Sequence, residues 1–150
     1  MRRIIKKMPF HRHMKNMELL FVNVVHVLKE DAFYCNALSG NSDFNNICIN
    51  SDMTVSCNCV DNDGSGHIGD LSANTLEEIF RGSRAVKFRK SLSKGILPIR
   101  RCLKCRELVK IRRAEAKACL SNYTTPKHAI MVENTVQCNL NCVNCHRRIK

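Results

Sequence analysis

Ten cysteines among 150 residues constrain this chain more than any other feature. They are clustered: Cys57-x-Cys59, Cys102-x2-Cys105, and a triplet at Cys138, Cys142 and Cys145 in C-x3-C-x2-C spacing. Pairs this local cannot cross-link distant parts of a fold, so they read as metal ligands rather than a disulfide framework. Disulfides would also need an oxidising compartment. The basic start is not followed by a secretory pattern: the apolar stretch at 19–28 is interrupted by Asn23 and His26, with no small-residue cleavage site after it. That stretch is also shorter than the ~20 residues that span a bilayer. The chain reads as cytoplasmic, with no membrane partner. In that compartment clustered cysteines bind metal.

Three segments are expected: a basic, cysteine-free stretch (1–34), a middle segment with seven cysteines (35–119), and a connector leading to the triplet (120–150). In the middle, "NNICINSDMTVSCNC" predicts a β-hairpin around the turn Asn50-Ser51-Asp52. Alternation places Ile47, Ile49, Met53 and Val55 on one face, continued by Cys57 and Cys59, with Cys48 pointing the other way opposite Thr54. Asn74 and Glu77 suggest a capping box for a helix ending at Gly82. Ser83 can cap a second helix that Gly95 terminates. A third, very basic helix is expected over 103–120, marked by Leu108, Ile111 and Ala118. "HAIMVENTV" reads as a buried strand feeding the triplet.

Two thiolates at C-x2-C spacing converge on one centre in both zinc and iron–sulfur sites. A zinc ribbon would place its second half roughly 15–20 residues away, whereas forty-two residues separate Cys59 from Cys102. The triplet says more. A structural zinc wants four ligands, and His146, adjacent to Cys145, is poorly placed to be the fourth. A [4Fe–4S] cluster on three cysteines keeps one iron open, as a catalytic metal requires.

"ENTVQCNLNCVNCHR" resembles the cluster loop of radical S-adenosylmethionine (radical SAM) enzymes. The resemblance covers about 128–148. It implies that Cys138, Cys142 and Cys145 hold a [4Fe–4S] cluster whose open iron is chelated by S-adenosylmethionine. One electron delivered through the cluster would then cleave the sulfonium to give a 5′-deoxyadenosyl radical, which abstracts a substrate hydrogen. Asn144 departs from the family, which usually has an aromatic residue before the third cysteine.

The stretch "CINSDMTVSCNCVDNDGSGHIGDLSANTLEEIFRG", with "GILPIRRCLKC", resembles a SPASM-type domain, which binds auxiliary [4Fe–4S] clusters. This match covers roughly 35–108. Asp52 stands where the family has a glycine, and Ile111 occupies the position of a later cysteine, so one auxiliary cluster is implied. Cys102 and Cys105 are its first-choice ligands. Cys57 and Cys59 compete for a third place at the hairpin's end, with Cys59 favoured. For the fourth, the hairpin geometry favours Cys35 over Cys48. Cys119 is expected to be an inert helix-face cysteine.

The expected fold is therefore α+β: a small iron–sulfur domain of β-hairpin plus helices, then the first strand and cluster loop of a truncated radical-SAM-type β/α barrel. The order is unusual, since the SPASM-type domain commonly follows the barrel. The chain is expected to be the amino-terminal part of a longer enzyme, or a truncated reading frame, with S-adenosylmethionine and an electron donor as partners and no substrate legible. The alternative is a non-enzymatic zinc or iron–sulfur module, contacting nucleic acid through 81–117. That stretch carries fourteen Lys/Arg against Glu107 and Glu115, a net +12 that equals the charge of the whole chain. No aromatic interleaves it after Phe88, so base stacking is not signalled, and nucleic acid is not the partner expected. "CVDNDGSGHIGD" imitates a calcium loop, but a thiol at position one and the missing bidentate Glu argue for a polar connector.

Overall fold

A computed structural model describes residues 9–44, 46–57, 63–120 and 123–133, with side chains described from Asn16 onward. Helix α1 (Pro9–Leu28) is followed by strand β1 (Asp31–Cys35) and a single turn, α2 (Asn36–Ser39). Strands β2 (Ile47–Ile49), β3 (Thr54–Ser56) and β4 (His67–Asp70) then lead into α3 (Leu76–Arg81) and α4 (Ser83–Ser93). A 3₁₀ turn (Arg100–Lys104), β5 (Leu108–Arg112), α5 (Arg113–Cys119) and β6 (Ile130–Val132) complete the described elements. The strands form two sheets: an antiparallel ribbon of β1 and β5, and a four-stranded sheet in the order β4-β3-β2-β6. In the latter, β6 runs parallel to β2.

The basic helix expected over 103–120 is instead three elements. Arg100–Lys104 is a 3₁₀ turn, Leu108–Arg112 is a strand, and only Arg113–Cys119 is α-helical. The reason is tertiary. Strand β1 buries Ala32 and Phe33 and leaves backbone groups that must be paired. Val109 and Ile111 alternate with Lys110 and Arg112, a period of two that suits a strand. Pairing in the register Asp31↔Arg112 through Cys35↔Leu108 satisfies both chains. A carboxylate fastens the ribbon: Asp31, nearly buried, lies 2.8 Å from Lys110 Nζ and 2.8 Å from His26 Nδ1. Hydrogen bonds from Lys110 and then His26 hold its carboxyl below the usual carboxylate value.

The hairpin forms where expected, with a different register. Cys48 faces Ser56, not Thr54, and Ile49 faces Val55. Met53 leaves the apolar face. It sits in the turn at φ 68°, 47 % exposed, while Asp52 accepts from the Thr54 backbone N–H (3.1 Å) and hydroxyl (2.6 Å). Ile47 and Val55 are fully buried, joining Phe80, Leu38, Ile68, Ile79 and Leu92 in one core. The capping box of α3 lies one residue later than expected. Thr75 accepts from Glu78 N–H and Glu78 accepts from Thr75 N–H. Gly82, not Ser83, precedes α4.

The two polar interruptions of 19–28 turn out to be anchors of α1. Asn23 Nδ2 donates to Leu97 O (3.2 Å), and its Oδ1 accepts from Leu97 N–H (2.8 Å). His26 reaches Asp31 and packs edge-on against Phe33. Leu19 and Val22 pack on the core. Among the described residues no helix is long and apolar enough to cross a membrane.

The connector to β6 is clamped by Asn46, which is fully buried. Its Nδ2 donates to Ser42 O (2.7 Å) and to His128 O (2.9 Å), and its Oδ1 accepts from Ser42 N–H (3.0 Å). Thr124 N–H donates to Ser39 O (2.8 Å) close to Gly40 (φ 73°), where any Cβ would overlap the Thr124 carbonyl oxygen. Strand β6 is an edge strand with Met131 and Val132 exposed, not the buried strand expected. The boundaries drawn at 34/35 and 119/120 are both crossed by strand pairing, through β1–β5 and β2–β6.

Candidate metal centre

The β1–β5 ribbon is what carries Cys35 to Cys102 and Cys105. Cys35 ends β1 opposite Leu108, and the next residue, Asn36, donates its N–H to Glu107 O (2.9 Å). Just before β5, the 3₁₀ turn presents Cys102 and ends at Cys105. It is closed by Cys102 N–H to Ile99 O (3.1 Å) and Cys105 N–H to Cys102 O (3.3 Å). Leu108 N–H donates back to Cys105 O (3.4 Å), so strand and turn are one rigid piece. Cys35 and the Cys102–Cys105 turn therefore lie at the same end of the ribbon.

Burial dominates their electrostatics. It pushes the Cys35 thiol up to about 12 against a backbone hydrogen bond from Leu38, and the Cys102 thiol up to about 11. Without metal both are therefore neutral thiols at physiological pH. Binding metal displaces their protons.

One positive charge lies on the same side of the core. Arg89 of α4 is buried, and burial lowers its pKa, opposed by the charges of Tyr123 and Cys35. Its guanidinium donates to Leu38 O (2.8 Å) and Phe80 O and stacks 3.9 Å from the centroid of the Tyr123 ring. No carboxylate pairs with it among the described residues. An unpaired buried cation is costly. Anionic thiolates beside Cys35 would relieve that cost, whereas neutral thiols do not.

The remaining cysteines divide by face. Cys57 belongs to the apolar core against which Cys35 and Cys102 pack. Cys48 is buried outside that cluster, with its Sγ 3.6 Å from Asn50 Oδ1. Cys119, unused in the expected ligand set, lines a small cavity together with Cys35 and Arg89. Its i, i+3 neighbour Ala116 is buried there; the apolar side of the short α5 was the available signal. Cys59 and the triplet Cys138, Cys142 and Cys145 lie outside the described residues.

Among the described residues no three His, Cys, Asp or Glu side chains are grouped to hold one metal ion. Thiolates sharing one zinc, each about 2.3 Å from it, must crowd together. Ligands of a multi-iron cluster bind separate irons and stand farther apart. The calcium-like loop is likewise self-satisfied: Asp63 accepts from Ser65 N–H (3.1 Å) and Asp70 from Ser72 N–H (2.8 Å) and hydroxyl (2.6 Å), while Asp61 lies outside the described residues.

The thiol shifts set a pH dependence for the metal-free chain. A folded-state pKa raised from 9.0 to about 12 at Cys35 means that the folded form keeps a proton which the unfolded form releases. That contribution is neutral below pH 9 and turns destabilising as pH rises from 9 towards 12. Reduced, metal-free protein should therefore lose denaturant resistance between pH 8 and pH 10.5, and Cys35→Ala should flatten the loss. Urea midpoints across that range would measure it. A wild-type midpoint no steeper in pH than that of Cys35→Ala would contradict the burial argument.

No family model, no curated protein and no solved structure matches this chain.

Proposed function

We propose that this chain is the iron–sulfur-binding part of a radical SAM enzyme. What supports the reading is the β1–β5 pairing, which puts Cys35 and the Cys102-x2-Cys105 turn at the same end of one ribbon, with the buried Arg89 on the Cys35 side of the core. Four thiolates on a [4Fe–4S] cluster leave it anionic, which fits a buried cation looking for a counter-charge. Cys35, Cys102 and Cys105 would hold the auxiliary cluster. The fourth ligand would come from the end of the hairpin, where Cys57 already faces the same core and Cys59 follows two residues on.

The second site is proposed on the resemblance of 128–148 to the radical SAM loop. Cys138, Cys142 and Cys145 would hold a [4Fe–4S] cluster open to S-adenosylmethionine, whose reductive cleavage is the chemistry that such a group supplies when bound. Support from the fold is limited to the approach. Strand β6 enters this region as an edge strand parallel to β2, and Glu133 N–H donates to Ile49 O (2.8 Å).

Anaerobic reconstitution with iron and sulfide tests the reading. The expected product is brown, with about four iron atoms and matching sulfide for each cluster. Protein that stays colourless and retains stoichiometric zinc in its place would establish a zinc module and overturn the proposal.

A further inference from the structure

The fourteen basic residues of 81–117 do not all serve the thiol site. On α4, Ala85, Arg89 and Leu92 are buried towards the core. Lys87, Lys90 and Lys94 fall on the opposite, exposed side and line one groove. None pairs with a carboxylate among the described residues. Arg89, on the buried face of this helix, is the one that feels the charge of Cys35. The lysine face is thus too far round the helix to compensate an anionic cluster, and its charge is uncompensated from within.

The basic surface continues. Arg113 Nη2 donates to Lys94 O (3.3 Å) and Asp31 O (3.5 Å), which joins the lysine groove to a second one holding Lys29, Lys110 and Arg112. That second groove is the weaker part, because Asp31 pairs with Lys110 and Glu115 with Arg112, and Glu30 also lines it.

We propose that the Lys87–Lys90–Lys94 groove binds the sugar-phosphate backbone of single-stranded nucleic acid, without reading sequence. The three lysines cover about 10.5 Å of helix axis at 1.5 Å per residue. That spread lets each lysine meet a different phosphate of one strand. Lysine meets phosphate as a point charge, and the groove also carries the serine hydroxyls of Ser83 and Ser91. The missing aromatics argue against base stacking, not against phosphate contact. An acidic protein is the less suitable occupant. Protein interfaces are built on aromatic, Met and Arg anchors and are depleted in Lys, and here only Val86 and Ile96 supply apolar contact.

The test is fluorescence anisotropy with a labelled mixed-sequence 20-nucleotide strand, read from 50 to 200 mM salt. Three phosphate contacts from these lysines should contribute a slope of about −2 in log affinity against log salt. Lys87→Gln/Lys90→Gln/Lys94→Gln should weaken binding at least tenfold and make the slope about 2 less negative, with an unchanged circular dichroism spectrum. Arg81→Gln/Arg101→Gln/Lys127→Gln removes the same charge from exposed positions elsewhere and should keep most of the affinity. Equal loss in both triple variants would show a net-charge effect and overturn the site. Poly-glutamate that displaces the strand at equal charge concentration would assign the groove to an acidic protein instead.

Discussion

Cys102→Ser and Cys105→Ser should each abolish one cluster, lowering iron by about four atoms per chain, and should destabilise the two sheets together. The cost is large because metal-binding energy in a small domain is also folding energy, on the order of 10 kcal/mol for a structural site. It reaches both sheets because the site joins them: Cys35 ends β1, Cys102 and Cys105 lead into β5, and Cys57 ends the β2–β3 hairpin. Cys48→Ser is the matched control, since that thiol lies outside the cluster's side of the core. Iron analysis and urea midpoints of the reconstituted proteins would read the result. A Cys48→Ser protein that loses its cluster while Cys35→Ser keeps it would refute the ligand set.

Arg89→Met should be felt in only one of the two forms of the protein. In metal-free chain the substitution removes a buried, unpaired cation, and replacing buried charge by an apolar side chain of similar volume is neutral or stabilising by about 1–4 kcal/mol. Against this stand the two hydrogen bonds to Leu38 O and Phe80 O, about 1 kcal/mol each. The metal-free midpoint should therefore move little. With the cluster bound, the same change would remove the buried positive charge on the Cys35 side of the core. A close charge pair at an effective dielectric near 20 is worth about 2–4 kcal/mol. Cluster retention under chelator challenge should fall roughly a hundredfold, and Arg89→Lys should recover part of it. Equal destabilisation of both forms would mean that Arg89 only packs the core.

Local pattern was enough for the hairpin, for the α3–α4 pair and for the stops at Gly82 and Gly95. These are decided within a few residues, by alternation, caps and positive φ. It was not enough for β5. The stretch 108–112 satisfies a helical reading through Leu108 and Ile111 and a strand reading through Val109 and Ile111. Only the unpaired edge of β1, far away in sequence, chooses between them. That Cys48 faces away from the cluster containing Cys57 was legible because a strand alternates faces. Cys57 was legible as inward-facing for the same reason, although the register slipped by two residues when Met53 went into the turn. Arg89 was hidden among fourteen basic residues. Nothing in its neighbours distinguishes the one guanidinium that is buried from the thirteen other charges. A stricter helical projection of α4 would have placed it with Ala85 and Leu92.

The pairing of strands remote in sequence also has a kinetic meaning. Strand β1 waits for β5 and β2 for β6, and the Asn46–His128 clamp spans 82 positions. Chains closed by such non-local pairings fold slowly, because loop-closure entropy is spent before contacts reward it. During synthesis β1 therefore emerges without its partner β5, and the β2–β3–β4 strands emerge without β6. Cys35 spends that interval apart from Cys102 and Cys105, as a lone thiol open to oxidants. With the proposed ligand set, iron and sulfide would have to arrive after ribbon closure, not with the emergence of each cysteine. The slow step in maturation would then be a conformational search, and any factor that hastens the docking of β5 on β1 would act as an assembly factor without touching iron.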